Sequence, residues 1–177
     1  MEDKLNYVAD GTIKDSGNRR EFKSGAVRDI EEGKGRCDLL PLHEVARVIM
    51  EADDIMMRGK AGIVISDIAH ALDFLKKEDY DNAKGFLYQA LADFNCGAYN
   101  STPKMILEVS KHYENGAKKY GEYNWQKGIP FNSYIDSAVR HFLKCLANYN
   151  DEDHYRAFVW NILGLLWTIN HHEELEL

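Results

Sequence analysis

From Pro41 onward, apolar side chains recur at helical spacing. Leu42, Val45, Ala46, Val48, Ile49 and Ala52 share one stripe, and Pro41 suits a first helical turn. Gly59 and Gly62 bracket a break, after which Ser66 is placed to cap a helix carrying Ile68, Ala69, Ala71, Leu72 and Leu75. A further helix begins near Asp79 and carries Ala83, Phe86, Leu87, Ala90, Leu91 and Phe94. Gly97 to Ser101 reads as a loop. Thr102 followed by Pro103 opens the next helix, which runs to about Tyr120.

The stretch Gly121 to Pro130 is a glycine- and proline-bearing loop that nevertheless holds Trp125. Asn132 or Ser133 then caps a helix to about Tyr149, and Asn150 caps the last one, with Asp151, Glu152 and Asp153 in its first turn. Ala157 to Trp167 is apolar on nearly every side, which places that helix at a bundle centre or in a subunit interface. Only Gly62 to Ile65 hints at a strand. The pattern predicts an all-α protein, a helical bundle, with residues 41–177 as one domain.

Residues 1–40 differ. Their apolar residues fall singly among mixed charges, so this part reads as an N-terminal arm, either flexible or wrapped over a neighbouring subunit or a ligand.

Composition narrows the partners. The 177 residues carry a net charge of −7, which argues against duplex nucleic acid and anionic membrane. A nucleotide remains compatible, through a local basic cluster or a divalent ion. No apolar run is long enough to span a bilayer, and the start (Met1, Glu2, Asp3, Lys4) lacks an apolar leader. Cys37, Cys96 and Cys145 are scattered without CxxC spacing, as expected of reduced thiols in cytoplasm.

Three polar constellations interrupt the helices. The first is His112, Glu114, Lys118, Lys119 and Tyr120, with Glu122, Asn124 and Trp125 just beyond. Cations at a helix end suit the macrodipole, but a Trp in a polar loop requires either packing beneath it or a stacked ligand. The second is Asp136, Ser137, Arg140 and His141, two overlapping i, i+4 pairs between Val139 and Phe142. Arg140 offers a donor fork for phosphate, and His141 a metal ligand or proton carrier. The third is Asp151, Glu152, Asp153 and His154, with Asn161 two turns on and expected to be buried. Carboxylates from two helices would make an oxygen-rich site for Mg²⁺ or Mn²⁺. No GxxxxGK[ST] loop is present.

Two segments carry a resemblance. Lys14 to Pro41 contains Arg36, Asp38 and Pro41 in an R-x-D-L-L-P pattern. His112 to Trp167 contains His112-Tyr113, Gly116-Ala117, Lys119-Tyr120, Asn124-Trp125, Gly128, Arg140-His141, Asp151 to His154 and Trp160-Asn161. Together they resemble a phage and prophage family of dATP/dGTP diphosphohydrolase-like proteins, related to the MazG-like all-α nucleoside triphosphate pyrophosphatases. Against that family, about 51–110 reads as a helical insertion, Cys37 replaces an aromatic, and the EExxE and ExxD signatures of MazG-like enzymes are not cleanly present.

The resemblance implies metal-dependent hydrolysis of dATP or dGTP to monophosphate and pyrophosphate, in the cytoplasm of a phage host. Glu114, Glu122 and Asp153 would hold Mg²⁺ or Mn²⁺. Glu114, His141, Asp153 and His154 would be catalytic. Arg36, Lys119, Tyr120, Asn124, Trp125, Arg140 and Asn161 would bind substrate. The alternatives are a non-catalytic protein that binds or sequesters a nucleotide or nucleotide-derived signal, and a helical interaction module. The last helix also suggests a homo-oligomer.

Overall fold

The computed structural model describes residues 17–29, 40, 60–98 and 102–175. A two-stranded antiparallel hairpin, β1 (Arg19–Glu21) and β2 (Val27–Asp29), precedes α1 (Lys60–Leu75), α2 (Tyr80–Ala98), α3 (Thr102–Tyr120), α4 (Phe131–Leu146) and α5 (His154–Asn170). A short 3₁₀ turn, Asn124–Lys127, lies between α3 and α4. The all-α class holds, with the small hairpin as its one β element among the described residues. No described helix is long and apolar enough to cross a membrane.

The architecture is two helical hairpins, α1/α2 and α4/α5, with α3 laid against α5. Helix α5 occupies the middle, and Phe158, Val159, Ile162 and Leu165 are fully buried. Its neighbours within this chain are α2, α3 and α4, and Trp160, Leu163 and Trp167 remain partly exposed. Close approach of α4 and α5 depends on Gly164, where a Cβ would stand 2.5 Å from the Tyr134 ring.

Several boundaries differ from expectation. Gly62 to Ile65 and Ser66 lie inside α1, so neither a strand nor a cap forms there. Helix α2 extends to Ala98, past the expected loop start at Gly97. Asp79 does begin α2, accepting from the Asn82 backbone N–H at 3.3 Å. Helix α4 starts at Phe131 after Pro130, leaving Asn132 and Ser133 within its first turn, and it ends at Leu146. Asp153, rather than Asn150, caps α5 by accepting from Arg156 N–H at 2.9 Å, so Asp151 and Glu152 precede the helix. A proline and a downstream carboxylate provide the same stop and cap chemistry a few residues away. The helix expected from Pro41 and the Arg36-Asp38 motif lie outside the described residues.

The part of the arm that is described packs against its own bundle. Ala26 is fully buried, Ser24 Oγ donates to Gly128 O at 2.8 Å, and Gly25 turns the hairpin with φ +79°. Asn124 grips Val27 as a neighbouring strand would. Its Oδ1 accepts from Val27 N–H at 3.0 Å and its Nδ2 donates to Val27 O at 2.9 Å.

Candidate functional site

The hairpin register sets Arg20 opposite Arg28, two like charges that disfavour pairing unless something compensates. Both reach Ser133 on α4. Arg20 Nη2 donates to its Oγ at 3.3 Å and Arg28 Nη1 to its carbonyl at 3.2 Å. Arg28 Nη2 also donates to Ser137 Oγ at 2.9 Å and to Asn161 Oδ1 at 3.0 Å. These acceptors are neutral, and no described carboxylate lies within ion-pair distance of Arg28. Burial pulls its guanidinium below the ordinary value, the like charges of Arg20 and Arg140 adding to that pull. The Tyr134 and Trp160 rings flank it at 5.5 and 5.6 Å.

Arg140 joins this cluster from α4. Its Nη2 donates to the same Ser137 Oγ at 3.1 Å and pairs with Asp136 Oδ2 at 2.8 Å, the i, i+4 pair expected from the spacing. Two guanidinium groups therefore converge on one hydroxyl in the second turn of α4. Asn161 is buried, as anticipated, and donates to Ala157 O at 2.7 Å while accepting from Arg28.

One residue past Arg140 lies a histidine pair. His141 Nδ1 stands 3.0 Å from His154 Nδ1, and Glu152 Oε1 lies 3.6 and 3.7 Å from these two nitrogens. His154 Nε2 meets Asp151 Oδ1 at 2.9 Å, and Lys144 Nζ holds Asp151 Oδ2 at 3.2 Å. Burial first, with the neighbouring His154 ring and the charge of Arg140 adding to it, holds the His141 ring well below its ordinary value. Among the described residues, His141, Glu152 and His154 are the one group whose donor atoms converge as metal ligands do.

The other expected site residues lie elsewhere or are already engaged. Glu114 is exposed and paired with Lys118, and Glu122 is exposed in the loop after α3. Asp153 is taken by the α5 cap and by Arg156 Nε at 3.0 Å. These three carboxylates do not converge with one another, whereas the donor atoms of His141, Glu152 and His154 do. Lys119 Nζ and Tyr120 Oη both donate to Asp29, at 2.8 and 3.0 Å. Asn124 is committed to the Val27 backbone. Trp125 packs edge-on between Tyr113 and Trp167, at 5.7 and 5.0 Å, which accounts for it without a ligand. Arg36 lies outside the described residues.

Sequence reasoning missed Arg28, Asp29 and the role of Glu152. The adjacent Arg140-His141 pair was a usable signal for the cation cluster, but nothing in the arm singled out Arg28. A depression between Glu78–Lys84 and Ile169–Glu174 shares no lining residue with this cluster, and its five acids (Glu78, Asp79, Asp81, Glu173, Glu174) outnumber its single lysine, Lys84.

No curated protein and no solved structure matches the chain. A family model described as dATP/dGTP diphosphohydrolase, N-terminal, matches residues 76–176, a range that starts within the stretch read as an insertion and takes in α2 to α5. That is more than half of the sequence, and it contains Arg140, His141, Glu152, His154 and Asn161. The chain belongs to the dATP/dGTP diphosphohydrolase N-terminal-domain family.

Proposed function

We propose that this protein hydrolyses a purine deoxynucleoside triphosphate, dATP or dGTP, to the monophosphate and pyrophosphate, with a divalent metal. Family membership supports the reaction class, and one structural observation carries the substrate's phosphates. Arg28 is a sequestered guanidinium that has only neutral acceptors and shares Ser137 with Arg140. Arg140 is already paired with Asp136, whereas Arg28 meets only neutral acceptors, so a polyphosphate would provide the negative charge that Arg28 lacks, and Arg presents a planar fork matched to phosphate oxygens.

The residues present fit a metal. His141, Glu152 and His154 would hold it, and it would supply Lewis acidity and a water of lowered pKa beside the phosphates. Arg28 and Arg140 bind and orient the chain of phosphates and neutralise charge that builds on the leaving pyrophosphate. Asn161 and Ser137 fix the direction of the Arg28 fork, while Asn124 holds the strand that carries it. In the net reaction a water oxygen bonds to the α-phosphorus and the α–β bridging bond breaks.

Chromatography of each dNTP and NTP incubated with protein and Mg²⁺, Mn²⁺ or Zn²⁺ tests this. Purine deoxynucleoside monophosphate and pyrophosphate are expected, with ¹⁸O from labelled water in the monophosphate. Release of orthophosphate, or label in the pyrophosphate, overturns the assigned bond. Absence of turnover with every nucleotide overturns the hydrolase and leaves the sequestering protein.

A further inference from the structure

His141, Glu152 and His154 bring three ligand-type atoms together at one point between α4 and α5. Asp151, ionised and hydrogen-bonded to Lys144, can only accept, so His154 Nε2 carries the proton on that side. In the neutral ring His154 Nδ1 is then the acceptor nitrogen, and it stands only 3.0 Å from His141 Nδ1. Glu152 Oε1 lies 3.6 and 3.7 Å from the same two nitrogens, so three ligand-type atoms converge. His154 is 2% exposed, and the Glu152 and His141 side chains only 11% and 15%.

The geometry can be tested against metal lengths. With sides of 3.0, 3.6 and 3.7 Å, the donor triangle has its centre about 2 Å from each corner. Those sides also bracket the ~3.4 Å edge of a tetrahedron built on ~2.1 Å bonds, the lengths zinc makes to imidazole and carboxylate. Calcium, at about 2.3–2.6 Å with six to eight oxygens, would not fit, and magnesium prefers oxygen and water to imidazole. The hydrogen bond from the far nitrogen of His154 to Asp151 is the outer-shell contact that fixes a ligating imidazole.

We propose that His141 Nδ1, His154 Nδ1 and Glu152 Oε1 bind one divalent first-row transition ion, of which Zn²⁺ is the model, and do not select Mg²⁺. Three protein ligands leave at least one position for water or a phosphate oxygen, as in catalytic rather than purely structural sites. Asp151 is a positioning residue. Binding rests on the donors alone, while any part the ion has in turnover rests on the hydrolase reading above.

Metal-stripped full-length protein titrated with Co²⁺ and with Zn²⁺ alone, by visible absorption and calorimetry, tests the site. One ion per chain is expected, with Co²⁺ giving the intense absorption of low coordination and with Zn²⁺ bound at least ~100-fold more tightly than Mg²⁺. His154→Asn and Glu152→Gln each abolish the absorption or weaken binding more than ~10-fold, and Asp151→Asn weakens it ~10- to 100-fold. His171→Ala with His172→Ala leaves it intact. Circular dichroism of the metal-free variants reports folding, and Glu152→Gln, in the turn before α5, serves if His154→Asn fails to fold. Equal affinity for Mg²⁺, or Co²⁺ absorption unchanged in Glu152→Gln, overturns the site. Binding without nucleotide turnover overturns only the hydrolase, and turnover that survives loss of Zn²⁺ binding separates the two in the other direction.

Discussion

Ser137 Oγ accepts the Arg28 guanidinium at 2.9 Å, joining a hairpin strand to α4 through a hydroxyl that Arg140 also uses. Because this hydroxyl sits between two cations, losing it removes an acceptor without adding charge. Ser137→Ala is expected to raise KM for the nucleotide about 10-fold, the size of one charge-assisted hydrogen bond. Arg28→Lys keeps the charge but loses the fork, and kcat/KM should drop about 100-fold. Pyrophosphate binding measured by calorimetry checks both, since it should weaken in parallel.

Asn124 supplies both hydrogen bonds that Val27 would otherwise find in a third strand. Asn124→Ala leaves the half-buried N–H and C=O of Val27 without those partners, a cost of about 1–2 kcal/mol. Amide exchange should accelerate most at residues 26–29. Activity should fall with it, because Arg28 is the next residue along the strand.

Gly164 lets α4 and α5 close on the Tyr134 ring. That ring is fully buried and in contact with Trp160, so it has little room to retreat. Gly164→Ala should destabilise the fold by about 2–3 kcal/mol, read as a lower melting temperature. Gly85→Ala, where a Cβ meets nothing, is the matched control and should be neutral or slightly stabilising.

Asp67 on α1 is buried, and its Oδ2 has no hydrogen-bond partner. Burial and the nearby charge of Asp93 push it up to about 6, with His70 pulling the other way. A carboxyl raised in the folded state favours folding most below its unfolded pKa, near 4, and that contribution is lost as pH rises through 6. Asp67→Asn should therefore be more stable than the parent at pH 7.5, by about 1 kcal/mol, and lose the advantage at pH 4.5. Thermal melts at the two pH values decide it.

Much of the helical frame was legible from short signals. Thr102-Pro103 and Gly121 bound α3, and the Asp136–Arg140 pair and the burial of Asn161 followed from helical spacing. The hairpin was not legible. Its strands are three residues each, and their charged side chains face a polar stretch of α4 and the end of α3 rather than an apolar core. Alternation therefore has nothing to report. Glu152 was hidden for another reason. Read as part of a helical first turn, it belongs to a row of dipole-compensating acids. In the bend ahead of α5 it instead turns back toward His141.

The bond from Arg28 to Asn161 spans 133 positions of sequence. During synthesis the hairpin emerges early, while its final acceptor is among the last residues made. Until α4 and α5 are in place, Arg28 has water and its like-charged neighbour Arg20 for company. Docking of the hairpin is then a late event, ruled by loop closure over most of the chain. Refolding should accordingly show the helices forming ahead of the Arg28 cluster, and a partly folded population would be compact and helical, without the proposed phosphate site.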